Sequence, residues 1–245
     1  MTDSAVKSAK RAFEILEAFS RHRRPLALKE LLDELDYPAS SGSALMKSLV
    51  ALGYLDYDGE RRTYFPTMRI AALGSWVPGT LFGDGPLLGA LEDLHRETGE
   101  TVILAVQSDL HAQYVHVIPS PEPLQLRVPP GTRRPLAQSG LGLVLLSAKR
   151  DPEIERLRRR INAAGEGPAL SRDEMMARVN AVRARGYAFS RNAISQGVGI
   201  IGAALPNGPF GRVFAVGAAG QVERLERKED EIVAALKTML WRLAA

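Results

Sequence analysis

Along the first 75 residues, apolar positions recur at the three-and-four spacing of amphipathic helices and then change once to a strand-like pattern. Val6, Ala9, Phe13, Leu16 and Phe19 share one stripe, which predicts a helix over 6–21. The basic run "RHRRP" ends it, and "ALKELLDELD" (27–36) predicts a short second helix stopped by Tyr37-Pro38. A third helix is expected from an N-cap at Ser40 to Leu52, with Gly53 as its left-handed stop. "YLDY" and "RTYF" then flank Asp58-Gly59, a turn-forming dipeptide between two strand-like runs, so a hairpin follows. A further short helix is expected at 67–76.

"VPGTLFGDGP" is dense in Pro and Gly and marks the best boundary in the chain. The expected division is 1–66, a linker helix and Pro/Gly hinge at 67–83, and a second domain at 84–245. From 84 onward helix and strand patterns mix. "PLLGALEDLHRETG" predicts a helix ended by Gly99, and "TVILAVQSDLHAQYVHVIP" predicts two strands around a polar turn. "PLAQSGLGLVLLSAK" predicts a buried helix entered through "PPGTRR", and "SRDE" at 171–174 is a capping box opening a helix over 172–185 that stops at Gly186. "GVGIIGAALP" and "RVFAVGAAG" read as apolar strands joined through "NGPFG", and an amphipathic helix over roughly 224–243 closes the chain. Helices beside an antiparallel sheet give an α+β second domain.

Composition narrows the function classes. The chain has 245 residues, 45% hydrophobic, with no cysteine, so disulfides and thiolate-ligated metals are excluded. No membrane-length apolar run and no signal-peptide block stand out, so a cytoplasmic protein is expected. His22, His95, His111 and His116 lack metal-ligand spacing. No Gly-x-Ser-x-Gly elbow, phosphate loop or dinucleotide fingerprint occurs, and "GVGIIGA" matches the last only superficially. No cofactor or metal is expected. The formal charge of +4 permits a polyanionic partner. Residues 1–75 carry 11 Lys and Arg against 10 Asp and Glu, so charge alone does not single out that segment.

Geometry does. On a helical wheel, Leu45, Leu49, Leu52 and Gly42 fall on one side of the third helix, and Ser40, Ser43 and Lys47 fall on the other. The first side packs on helix 27–36. The second is small, polar and singly charged, which suits a helix that comes close to base edges. A helix, a turn, a second helix and a basic hairpin make a winged helix-turn-helix, with Arg61 and Arg62 on the wing reaching the backbone. Arg21, Arg23 and Arg24 are solvated surface or additional contacts.

The stretches "KSAKRAFEILEAF", "LKELLDELDYPASSGSALMKSLVALGYLDYD" and "YFPTMRIAALG" resemble the DNA-binding domain of IclR-type bacterial transcriptional regulators. "PPGTRRPLAQSGLGLVLLS", "VRARGYAFSRNAISQGVGIIGAAL" and "GRVFAVGAAGQVERL" resemble that family's effector-binding domain, in family order. The resemblance implies an N-terminal winged helix-turn-helix followed by a GAF-like α/β effector domain with a mainly antiparallel sheet. It also implies a homodimer or homotetramer on a pseudo-palindromic DNA operator, acting as repressor or activator. DNA contacts would come from Ser40, Ser41, Ser43, Ala44 and Lys47, with Arg61 and Arg62. Ala39 stands where the family usually has Lys, and Ser43-Ala44 replace a His-Arg or Tyr-Arg pair.

By the same resemblance, a small organic effector would meet Leu136, Ala137, Ser139, Gly140, Ile200, Gly202, Ala215 and Gly217. Ala137 replaces a frequent His, while Ile200, Ala215 and Gly217 stand where Cys and Ser are common. Polar groups are therefore sparse, which favours a mainly apolar or aromatic acid, with Arg191 and Asn192 supplying its polar contacts. Alternatively the small residues only allow strands and helices to pack closely. A reading of another class stays open: an enzyme or small-molecule sensor whose N-terminal helices mediate protein contacts alone.

Overall fold

The structure, a computed structural model, describes residues 6–82, 86–121, 128–205 and 211–244. It divides into two compact units, Met1–Thr80 and Leu81–Ala245.

In the first unit, α1 (Lys7–His22), α2 (Leu28–Leu35) and α3 (Ala39–Ala51) surround a core of Ile15, Phe19, Leu26, Leu31, Met46, Leu49 and Leu55. Burying this shared apolar face is what holds such short helices, which are marginal in isolation. The strand β1 (Leu26–Ala27) joins the hairpin of β2 (Leu55–Asp58) and β3 (Thr63–Pro66) in an antiparallel sheet ordered β1-β3-β2. Two local expectations change. Pro38 rather than Ser40 is the N-cap of α3: its ψ of 135° is non-helical, and the first turn begins at Ala39. Met46 rather than Leu52 enters the core: it shares the buried face with Gly42 and Leu49, while Leu52 is 58% exposed. After α4 (Met68–Gly74), the breaker-rich stretch forms α5 (Trp76–Phe82). Pro78 lies in the first turn of α5, where its missing N–H breaks no hydrogen bond. The rest of the expected hinge, 83–85, lies outside the described residues.

The second unit is built on a six-stranded sheet ordered β6-β5-β4-β9-β8-β7. Its strands are β4 (Thr101–Ser108), β5 (His111–Ile118), β6 (Arg133–Pro135), β7 (Ala188–Arg191), β8 (Val198–Leu205) and β9 (Phe214–Gln221). Every described ladder is antiparallel. Both faces are apolar and both are covered. The helices α7 (Gly140–Ser147) and α9 (Arg172–Arg185), with α8 (Asp151–Ala164), close over Ile103, Ala105, Ile200, Ala215 and Ala219. On the other face α6 (Leu87–Thr98), α10 (Val222–Arg227) and α11 (Glu229–Ala244) cover Val102, Leu104, Ile201, Phe214 and Val216. The predicted closing helix is thus two helices, broken at Lys228, where the backbone leaves helical geometry. The helix α8 and the short strands β6 and β7 add to the predicted elements. The "NGPFG" turn falls largely at 206–210, outside the described residues.

One glycine explains how α7 can lie so close to the preceding loop. A Cβ at Gly142 would stand 2.1 Å from the Leu136 carbonyl oxygen. The neighbouring Ser139 caps α7, accepting from the Gly142 N–H at 3.2 Å and donating to the Pro135 carbonyl at 2.9 Å.

Candidate functional sites

The first candidate surface is the outer face of α3. Ser40, Ala44, Lys47, Ser48 and Ala51 are exposed, with Ser41 and Ser43 half-buried on its two borders. Lys47 is the single cation on this face, as the sequence suggests. Ser41 is already engaged: its hydroxyl donates to the Pro38 carbonyl at 3.2 Å and accepts from Arg11 Nη1 at 3.1 Å. Arg11 comes from α1, and its guanidinium stands 4.5 Å from the centre of the Tyr37 ring. The Tyr37 hydroxyl in turn donates to Glu14. Burial first, then the Glu14 hydrogen bond and charge, push the Tyr37 hydroxyl up to about 12. Sequence reasoning missed Arg11, and no local signal marks it, because the contact spans thirty positions.

The wing presents its two arginines differently. The loop between β2 and β3 is held by the Asp58 carboxylate, which accepts from the N–H groups of Glu60 and Arg61 at 2.9 and 3.0 Å. The left-handed residue in this loop is Arg62, with φ at 54°, rather than Gly59. The Arg61 side chain is 81% exposed and only 4.0 Å from Asp58, so part of its charge is offset. In the run after α1, Arg21 pairs with Glu34 at 2.6 Å and Arg24 with Glu30 at 2.8 Å.

The second candidate site is a cavity of about 40 Å³ between the sheet, the start of α7 and the loop after β7. Ile103, Val128, Ile200 and Ala219 give it apolar walls, Ser139, Gly140 and Ser190 form one end, and Ala193, Ile194 and Ser195 cover it. One cation enters it. Arg134, on β6, lines it together with Tyr114, which is only 6% exposed. Burial pushes the Tyr114 hydroxyl above its ordinary value, and the nearby Arg134 pulls it partly back. A bulge sets the position of Tyr114: Leu104 faces His116 while Ala105 faces Tyr114, so Val115 is the extra residue and the parity of β5 changes.

Of the residues named from the sequence, Ser139, Gly140 and Ile200 line this cavity. Leu136 and Ala137 are buried in the core beside it. Gly202 and Gly217 share the cavity's face of the sheet but lie under α7, where an added Cβ would stand 2.5 and 2.9 Å from Leu141 Cδ2. Ala215 is buried on that same face. Arg191 is directed elsewhere. It stacks on Phe189 at 3.5 Å and pairs with Glu226 at 2.8 Å and Glu229 at 3.4 Å, because Ser190 takes the cavity side of the pleat. Asn192 adopts φ of 55° and accepts from the Gly197 N–H at 2.7 Å, bordering an open groove with Gln196 and Glu223. Arg134 and Tyr114 were not anticipated; Arg134 stands within "PPGTRRPLAQSG", two positions before Leu136.

Among the described residues, no group of His, Asp and Glu could hold a metal ion. No described helix is long and apolar enough to cross a membrane.

Comparison with known proteins places both units. Residues 8–59 match the IclR helix-turn-helix domain, and residues 87–242 match the bacterial transcriptional regulator IclR C-terminal domain. Over 95% of this chain and 92% of the relative, 26% of positions are identical to the glycerol operon regulatory protein of Streptomyces coelicolor. The transcriptional repressor IclR of Escherichia coli is 24% identical over 90% of this chain and 82% of its own length. A solved effector domain of an IclR transcriptional regulator from Acinetobacter sp. ADP1 shares 33% identity. It superposes with a TM-score of 0.61 over 68% of this chain and 98% of that one. An IclR regulator from Alicyclobacillus acidocaldarius shares the fold along 98% of both chains, with a TM-score of 0.74 at 20% identity. These relatives are regulators of transcription and not enzymes. The chain belongs to the IclR family of bacterial transcriptional regulators, whose members bind DNA through the helix-turn-helix domain and respond to small molecules.

Proposed function

We propose that the protein is a cytoplasmic, ligand-responsive regulator that binds a pseudo-palindromic operator as a dimer or tetramer. Its modulator is a small, mainly apolar or aromatic organic acid. In this reading residues 1–66 form the DNA-binding domain, 67–83 the linker and 84–245 the effector domain. The shallow, weakly charged face of α3 lies against base edges through Ser40, Ser43, Ala44 and Lys47, and Arg61 and Arg62 on the wing contact phosphates. Two-fold symmetry doubles each of these contacts, which offsets the low charge of a single subunit.

The observation that carries the effector class is Arg134 beside Tyr114 in a cavity whose other polar side chains are the hydroxyls of Ser139, Ser190 and Ser195. A guanidinium lining the cavity beside a buried phenol is a ready partner for a single carboxylate, and the Ile103, Val128 and Ile200 walls suit a flat or aliphatic body. Arg134 is the single cation among the described residues that line the cavity, so a second carboxylate would be costly to bury. Typical ligand sites enclose ~300 Å³ or more, so the acid displaces the loop 192–197 on entry.

The test is a thermal-shift screen of aromatic and aliphatic monocarboxylates against the full chain, repeated on Arg134→Met. Stabilisation by such acids that disappears in the variant is the expected result. Stabilisation by sugars or dicarboxylates instead, or acid binding untouched by Arg134→Met, overturns the effector class. Protection of duplex fragments from the surrounding genome, lost on adding the acid or dependent on it, tests the regulatory reading.

A further inference from the structure

The outer face of α3 poses a problem of charge. A protein that binds DNA draws much of its affinity from phosphate neutralisation, yet among the exposed residues of α3 only Lys47 is cationic. The structure places another cation at its edge. Arg11 extends from α1 to the first turn of α3, bonds Ser41 Oγ at 3.1 Å and stacks 4.5 Å from the Tyr37 ring centre.

Arg21, Arg24 and Arg61 each lie within 4.0 Å of a carboxylate, whereas no carboxylate among the described residues pairs with Arg11, nor with Arg23, Arg62 or Arg69. What sets Arg11 apart from these is its bond to α3 itself, through Ser41. The nearby Glu14 instead accepts from Tyr37 and forms an ion pair with Lys10 at 3.6 Å. Arg11 also uses one of its five N–H donors on Ser41, leaving most of the fork for another acceptor. Its contacts are of the kind that fix a rotamer without neutralising the charge: an aromatic face below, and one neutral hydroxyl at the side. Ordering a long side chain in advance removes the entropy that a free arginine would lose on binding.

We propose that Arg11 is a phosphate-contacting residue of the DNA interface, held at the Ser41 border of α3 by Tyr37, with Ser41 acting as its positioning residue rather than as a base reader. Ser41 sits between the buried Gly42–Met46–Leu49 stripe and the exposed Ser40–Lys47 face, which is where a duplex backbone would pass if α3 lies in the major groove. Tyr37 links the arrangement to α1 through Glu14, so the guanidinium moves with the helix-turn-helix rather than as a free surface side chain. The assignment rests on α3 being the helix that meets DNA.

The test measures affinity of the full chain for a duplex it protects, as a function of salt, for the wild type and for Arg11→Gln, Arg11→Lys and Ser41→Ala. Arg11→Gln should weaken binding roughly tenfold or more and reduce the slope of log affinity against log salt by ~0.9 for each phosphate left without its cation. Arg11→Lys should keep the slope and lose affinity, because an ammonium cannot reproduce the stacked fork. Ser41→Ala should also keep the slope while binding more weakly. A purely structural Arg11 would lower the melting temperature of the first unit without changing the salt slope. A wild-type slope in Arg11→Gln overturns the proposal. Should that variant fail to fold, wild-type affinity in Arg11→Lys overturns it instead. If the wild type itself shows no salt-dependent binding to any duplex, the DNA-binding role of α3 falls first, and the Arg11 assignment with it.

Discussion

Replacing Gly202 with alanine asks whether the small residues of β8 and β9 make room for a ligand or for a helix. A Cβ there would lie 2.5 Å from Leu141 Cδ2 and 2.8 Å from the Val216 carbonyl oxygen. Carbon atoms prefer separations of ~3.5–4.0 Å, so either Leu141 rotates away or the sheet and α7 move apart. Overpacking of this kind costs about 1–3 kcal/mol. Leu141 is itself fully buried, and Leu141→Ala should cost about 2–5 kcal/mol through lost burial and a residual void.

The decisive quantity is the coupling between the two changes. Once Leu141 is shortened, the nearer of the two clashes at Gly202 is gone and only the carbonyl contact remains. The double variant should then be more stable than the sum of the single losses predicts, by about 1–2 kcal/mol, within the range measured for touching residues. Gly217→Ala should couple to Leu141→Ala in the same sense, because its Cβ would lie 2.9 Å from the same methyl. Urea unfolding of the full chain, following the transition of the Leu81–Ala245 unit, reads all of these values. Additive losses would refute the reasoning. So would a Gly202→Ala protein of wild-type stability that no longer binds its ligand, since that would put Gly202 in the cavity wall.

Two further outcomes concern ionisation. The Tyr37 hydroxyl is pushed up to about 12 from an ordinary 10.0, so its stabilising contribution is complete below pH 10 and is lost as pH rises toward 12. Stability of the first unit should therefore fall more steeply over that window in the wild type than in Tyr37→Phe, and parallel curves would remove Tyr37 from the account. Hydrogen bonds from Arg158 and then Arg159 hold Glu155 down to about 2 from an ordinary 4.5. Its contribution is present above pH 4.5 and is lost as pH falls toward 2, so Glu155→Gln should flatten the acid limb of second-unit stability measured by circular dichroism.

What was legible in the sequence divides by the range of the interaction that decides it. The start of α9 at the Ser171–Glu174 capping box and its stop at Gly186 were readable because each signal acts within four residues. The same holds for the left-handed Gly53 after α3 and for the β4–β5 hairpin. The helix α8 escaped notice because its apolar residues Ile154, Leu157 and Ile161 are set among arginines, three of which then find carboxylates: Arg158 and Arg159 on Glu155, and Arg160 on Asp109. The strands β6 and β7 are only three and four residues long and exist through the ladders they complete.

The binding residues show the same limit more sharply. Which of Ser190 and Arg191 faces the cavity depends on the register of β7 against β8, where Ser190 meets Ile200 and Arg191 meets Gly199. A shift of one residue would exchange them. The choice of Arg134 over Arg191 as the cationic group likewise depends on β6 pairing with β5, which places Arg134 beside a tyrosine that a bulge has re-aimed. Arg11 reaches α3 only because α1 and α2 pack together and bring Tyr37 beneath its guanidinium. In each case the residue type was visible in the chain and its address was not: sequence pattern set which residues could form an element, while register and helix packing chose which side chains meet. The chemistry proposed for both sites therefore leans on two cations, Arg11 and Arg134, whose neighbours lie on other elements, rather than on those that looked most exposed along the chain.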